Sequence, residues 1–132
     1  MKINSIVDKP FNVVFVDDEV EALTLIKHTL KLEIHAGKIN ILTFSSGEEC
    51  LEYLNENQAD LMVFFTDIKM PLMDGFTLME KVRELHPHVD MFFISAYDLQ
   101  DYKVRANQMG AKGYFTKPIN LKAIQAIINS YF

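Results

Sequence analysis

The stretch FFTDIKMPLMDG, residues 64–75, decides the reading of this chain. An apolar run ends in a single acid, Asp67, and a turn signal, Asp74–Gly75, follows. A buried strand that carries one carboxylate out of its end and then turns back predicts a strand, a loop and a helix. The same grammar repeats on both sides. Short apolar runs occur at 12–16 (NVVFV), 39–44 (INILTF), 61–66 (LMVFFT), 91–95 (MFFIS) and 112–116 (KGYFT). Several are apolar almost throughout, as strands covered on both faces are.

Helical patterns lie between these runs. Val20, Leu23, Ile26 and Leu30 make one stripe. Ser46-Gly47-Glu48-Glu49 reads as a capping box opening a helix through about Leu54. Asp74 can cap a helix to about Leu85, stopped by Pro87. A segment from about Leu99 to Met109 ends at Gly110, and Asn120 can cap a last helix with Leu121, Ile124, Ile127 and Ile128 on one face. Five strand-then-helix repeats predict an α/β domain with a parallel sheet and helices on both faces.

Composition narrows the function. The chain has 132 residues, the size of one domain, with 49% apolar residues and 23% charged. A net charge of −5 argues against a broad nucleic-acid-binding surface. One cysteine, Cys50, excludes an internal disulfide and a CxxC site, and it reads as a small hydrophobe. His86-Pro87-His88 reads as a loop. The N-terminus lacks a signal-peptide core and no apolar stretch is long enough to span a bilayer, so the expected location is the cytoplasm. Residues 1–10 are expected to be a short arm and 11–132 the domain.

In an open α/β sheet, ligands bind beyond the carboxyl ends of the strands. Those ends carry Asp17-Asp18-Glu19, Thr66-Asp67, Ser95-Ala96 and Thr116-Lys117-Pro118. Singly, each has an ordinary reading: Asp18 as a helix cap, Asp67 as a loop acid, Ser95 as a strand end, Lys117–Pro118 as a turn. Together they place carboxylates, a hydroxyl and an ammonium on one edge. Clustered carboxylates raise one another's pKa and call for a cation. Oxygen ligands without Cys or His suit Mg²⁺. Three carboxylates, Mg²⁺ and Lys117 sum to neutrality, a site ready for an anion, with Asp67 as the nucleophilic oxygen for phosphoryl transfer.

The ordered set FVDDE, TDIKMPLMDG, ISAY and KGYFTKP resembles the receiver domain of two-component response regulators, over about residues 11 to 131. If Phe132 is the natural end, the resemblance is to the chemotaxis-type single-domain form; if the chain is an excised piece, a DNA-binding or enzymatic output is missing from it. The resemblance implies a flavodoxin-like, doubly wound five-stranded parallel sheet of order 2-1-3-4-5 with five helices. The implied phosphoacceptor is Asp67, charged by a histidine kinase or a histidine phosphotransfer protein. The implied Mg²⁺ ligands are Asp18 directly, Asp17 through water, Asp67 and the Lys69 carbonyl, and Mn²⁺ can substitute. Lys117 contacts the phosphoryl group, across a Lys117–Pro118 bond that the family makes cis. Ser95 and Tyr114 form the switch, and Lys69 and Tyr97 tune hydrolysis. The implied output is a changed surface on the fourth helix, fifth strand and fifth helix that binds a downstream protein. The domain itself then touches neither nucleic acid nor membrane, and is a monomer or a phosphorylation-dependent dimer. It catalyses its own phosphorylation and dephosphorylation but turns over no separate substrate.

The interval from Asp18 to Asp67 is longer than a compact member's, and the surplus is expected in LEIHAGKIN, 32–40. Three alternatives compete. A phosphatase or phosphotransferase with an aspartyl-phosphate intermediate would usually carry DxDx[TV] on the first strand. A flavodoxin-like nucleotide binder would need a hydroxyl- or Gly-rich first loop where DDEVEA stands. A phosphorylation-independent binding module would not need the acid set.

Overall fold

A computed structural model describes residues 10–57 and 61–132. The arm expected over residues 1–10 lies, apart from Pro10, outside the described residues. Eleven elements follow in order: β1 (Phe11–Val16), α1 (Val20–Thr29), α2 (Lys31–His35), β2 (Ile39–Phe44), α3 (Gly47–Glu56), β3 (Leu61–Asp67), α4 (Gly75–Leu85), β4 (Asp90–Ser95), α5 (Gln100–Gln108), β5 (Gly113–Thr116) and α6 (Leu121–Asn129). The strands form one parallel sheet of order β2-β1-β3-β4-β5, as expected.

Alternation along each strand splits the core in two. Val14, Val16, Phe64, Met91 and Phe93 point to one face, where Cys50, Leu54, Leu78, Met79 and Val82 from α3 and α4 cover them. Val13, Phe15, Phe65, Phe92 and Ile94 point to the other, under Leu23, Ile26 and Leu30 from the α1 segment and Ile124 and Ile128 from α6. On that second face Phe15 and Phe65 stack at 4.5 Å, and Phe65 and Phe92 at 4.8 Å. These aromatic pairs tie β1, β3 and β4 side to side.

The caps explain where helices start. Ser46 Oγ accepts from the Glu49 N–H, Asp74 Oδ1 from the Thr77 N–H, and Asn120 Oδ1 from the Ala123 N–H. The capping box is offset by one residue, because Glu49 returns its bond to the Ser45 N–H. Gly110, at φ +80, ends the α5 segment in the left-handed conformation that glycine adopts without strain.

Two readings need correction. Six helices instead of five are present among the described residues: most of α2 lies in the surplus expected at 32–40, and it follows α1 after Leu30 leaves helical geometry at φ −98, ψ 14. Val20 is 59% exposed, so it does not share the buried stripe of Leu23, Ile26 and Leu30.

Candidate functional site

The order of the sheet reverses between β1 and β3, which sets a crevice at their carboxyl ends. Asp17 follows β1 and Asp67 ends β3. Both carboxylates are buried. The register that pairs Val16 with Thr66 brings them level. Backbone groups hold one oxygen of each: the Glu19 N–H donates to Asp17 Oδ1 at 2.9 Å, and the Ile68 N–H to Asp67 Oδ1 at 2.8 Å. Asp67 can sit this low because the chain doubles back closely. The Gly75 N–H donates to the Ile68 carbonyl at 2.8 Å, and a Cβ on Gly75 would lie 2.2 Å from the Asp67 carbonyl oxygen.

Lys117 arrives from the end of β5 across a cis Lys117–Pro118 bond. Its Nζ lies 3.1 Å from Asp67 Oδ2, 3.0 Å from Asp17 Oδ2 and 2.7 Å from Glu19 Oε1. Burial alone would lower the lysine's pKa, but hydrogen bonds to Glu19, Asp17 and Asp67 outweigh it and raise the value. Burial pushes the Asp67 carboxyl up to about 6; the neighbouring Asp17 charge adds to this and Lys117 opposes it. Hydrogen bonding and charge attraction from Lys117 lower the Glu19 pKa.

Asp17, Glu19 and Asp67 each offer a carboxylate oxygen, and these oxygens lie within 4.8 Å of one another. One ammonium does not balance three carboxylates, and the donors are all oxygen. That set fits a hard divalent cation such as Mg²⁺. Asp18, read from the sequence as a direct ligand, is exposed and stands outside this group. Glu19 joins the group although the sequence reading gave it no role. Its signal was present as the third acid of the DDE run, but the ion pair joins residues 98 positions apart.

The remaining predicted residues form a second group beside the first. Ser95 is fully buried; its Oγ accepts from the Tyr97 N–H at 3.0 Å, and its carbonyl accepts from the Lys117 N–H at 2.7 Å. The Tyr114 hydroxyl donates to the Tyr97 carbonyl at 2.6 Å. Lys69 Nζ lies 6.0 Å from the centre of the Tyr97 ring. A chain of contacts therefore runs from Lys117 through Ser95 and Tyr97 to Tyr114 on β5.

Comparison with known proteins agrees with this geometry. The family model for the response regulator receiver domain matches residues 13–129. The chain is 30% identical over 114 residues to the DNA-binding transcriptional regulator NtrC of Klebsiella pneumoniae, covering 86% of this chain and 23% of that protein. It thus spans about a quarter of the length of the curated relatives it matches. A CheY-like receiver domain protein from Methanospirillum hungatei superimposes with a TM-score of 0.80 at 24% identity, covering 92% of this chain and 93% of that one. The CheX–CheY–BeF3–Mg²⁺ complex from Borrelia burgdorferi contains a chain that is 28% identical with a TM-score of 0.76, covering 93% of this chain and 90% of that one.

Proposed function

The chain belongs to the response regulator receiver domain family, and from that premise we propose that Asp67 is its phosphoacceptor. A receiver domain of a two-component system is a signalling switch, and not an enzyme that turns over a substrate. The observation that carries the proposal is the buried Asp17–Asp67 pair bridged by Lys117 at the carboxyl edge of the sheet.

The donor is a phosphohistidine of a kinase or phosphotransfer protein. An Asp67 oxygen bonds to phosphorus as the P–N bond breaks, and the electron pair returns to the imidazole, which takes up a proton. With its pKa at about 6, Asp67 is mostly ionised at neutral pH and available as a nucleophile. The Ile68 N–H fixes its Oδ1, and Lys117 balances charge on the transferred oxygens. Mg²⁺, or Mn²⁺ in its place, would be held by Asp17 and Asp67, whose carboxylate oxygens lie together in the crevice, with the Lys69 carbonyl and, from the exposed rim, Asp18, and would supply charge neutralisation of the phosphoryl oxygens.

The output follows from Ser95. Turning its hydroxyl from the Tyr97 N–H to the phosphoryl group moves the loop whose carbonyl anchors Tyr114. The surface of α5, β5 and α6 then changes, and a downstream protein reads it. The receiver unit spans 11–132. It works in the cytoplasm, as a monomer or a phosphorylation-dependent dimer, without touching nucleic acid or membrane itself.

Intact mass after incubation with acetyl phosphate tests this reading. One phosphoryl adduct that needs both Mg²⁺ and Asp67, and is absent in Asp67→Asn, supports it. No adduct under any condition, together with no fluoroberyllate binding, would leave a phosphorylation-independent binding module.

A further inference from the structure

We propose that Leu72 is an anchor for the protein that delivers the phosphoryl group: a phosphohistidine-bearing donor docks over Asp67 by covering this exposed leucine. The inference deepens the phosphoacceptor reading above and rests on it.

Leu72 is held in a conformation that leucine avoids. Its φ is 69, the one positive φ outside glycine among the described residues. The Met73 N–H donates to the Pro71 carbonyl at 2.8 Å, so Leu72 is the middle residue of a γ-turn of the rare, strained kind. A bulky side chain is strained there, and glycine would not be. The side chain recovers none of that cost by packing, because it is 97% exposed. Strain of this sort persists where the surroundings enforce it, and it gathers at sites that bind or react.

The neighbours enforce it here. Met70 and Met73, on either side of the turn, pack against the core. The Met73 sulfur sits so close to the start of α3 that a Cβ on Gly47 would lie 2.9 Å from it. Asp74 is committed to capping α4. The turn is pinned from both sides, and Leu72 is displayed outward.

The occupant follows from where the turn stands. It joins the end of β3 to the start of α4, at the carboxyl edge of the sheet. Leu72 is three residues before Gly75, where a Cβ would meet the Asp67 carbonyl oxygen. At most about 11 Å of chain therefore separates the leucine from the backbone beside the phosphoacceptor. A helix with its side chains is about 10–12 Å across. A protein that brings a phosphohistidine to Asp67 covers Leu72 in the same act, whereas a partner that reads α5, β5 and α6 has no need to touch it. Acetyl phosphate is too small to span that distance and reaches Asp67 without the leucine. The donor that fits presents an apolar hollow beside its phosphohistidine, sized for one leucine side chain.

Phosphotransfer kinetics test the anchor. The wild type is first mixed with each autophosphorylated histidine kinase and histidine phosphotransfer protein of the source organism, and the fastest donor is kept. Transfer from that donor, and intact mass with acetyl phosphate, are then compared among variants. Leu72→Ser should lose roughly tenfold in kcat/KM with the protein donor, mostly through KM, the loss expected when one leucine is no longer buried. Its labelling by acetyl phosphate should match the wild type. Leu72→Met keeps the apolar reach and should restore transfer. Leu72→Gly should lose transfer as the serine variant does, yet melt no lower than wild type, because the turn is relieved of strain. Leu32→Ser removes another bare leucine, 71% exposed on α2, and should change nothing. The proposal is overturned if Leu72→Ser transfers like wild type, if it loses both donors equally, if Leu72→Met fails alongside it, or if Leu72→Gly melts several degrees lower. A Leu72→Ser protein that changes self-association in sedimentation but not transfer gives the leucine to a second copy, which also overturns it. A wild type labelled by acetyl phosphate but by no phosphohistidine protein removes the anchor and leaves Asp67 as phosphoacceptor. A wild type labelled by neither refutes the phosphoacceptor reading itself, and the anchor with it.

Discussion

Asp67 stores a free-energy cost at the centre of the site. Burial and the Asp17 charge raise its pKa from 3.8 to about 6. The folded protein therefore binds this proton more tightly than the unfolded chain does. The cost is absent below about pH 4, grows as pH rises, and is complete above about pH 6, where it reaches up to about 3 kcal/mol. In chelator at pH 7, Asp67→Asn should be more stable than wild type in urea. The difference should shrink towards zero near pH 4; a constant difference would contradict the assignment. Tyr97 is 46% exposed beside Lys69, where its ring can limit the approach of water to a phosphorylated Asp67. Tyr97→Ala should shorten the phosphoryl half-life measured by intact mass, and an unchanged half-life would remove Tyr97 from that role.

At the scale of elements, the starts of helices position the chemistry and their far ends hold the layers. Gly75 opens α4 directly beneath Asp67, where a methyl group would meet backbone 2.2 Å away. Gly75→Ala should destabilise by about 2–4 kcal/mol in denaturant unfolding, since backbone must move. The added helix α2 is fixed to α6 by Glu33, whose Oε2 accepts from Asn129 Nδ2 at 2.8 Å and Gln125 Nε2 at 3.1 Å. Burial opposes the Glu33 charge, but these bonds prevail and its pKa is lowered. Glu33→Ala would remove both bonds, leaving the exposed Asn129 amide to water and Gln125 Nε2 to its long bond with the Thr29 carbonyl, and should cost about 1 kcal/mol, read as a lower urea midpoint. A neutral result would mean that water replaces the carboxylate.

Over the whole molecule, stability and cation binding are linked. A cation bound only by the folded site stabilises it by about 2.7 kcal/mol at a hundred times its Kd. Mg²⁺ should raise the melting temperature of the wild type by several degrees, and Asp17→Asn should lose most of that rise. An equal rise in both would place the ion elsewhere. Among the described residues no helix is long and apolar enough to cross a membrane. With the sheet covered on both faces, access to Asp67 is confined to the carboxyl edge.

The linear pattern alone carried the strand-helix alternation, most element boundaries, the caps at Ser46, Asp74 and Asn120, and the polar residues at each strand end. Those signals are local, because apolar period and capping chemistry act within a few residues. The second helical turn after Leu30 escaped notice, since Lys31–His35 is too short to build a periodic stripe. The difference between neighbouring acids was also invisible. Asp17, Asp18 and Glu19 read as one acidic run, yet Asp17 is buried, Asp18 is exposed, and Glu19 reaches across to Lys117. Which acid turns inward depends on the twist of β1 as it leaves the sheet and on a lysine far away in the chain. Only the packed molecule brings those two constraints together.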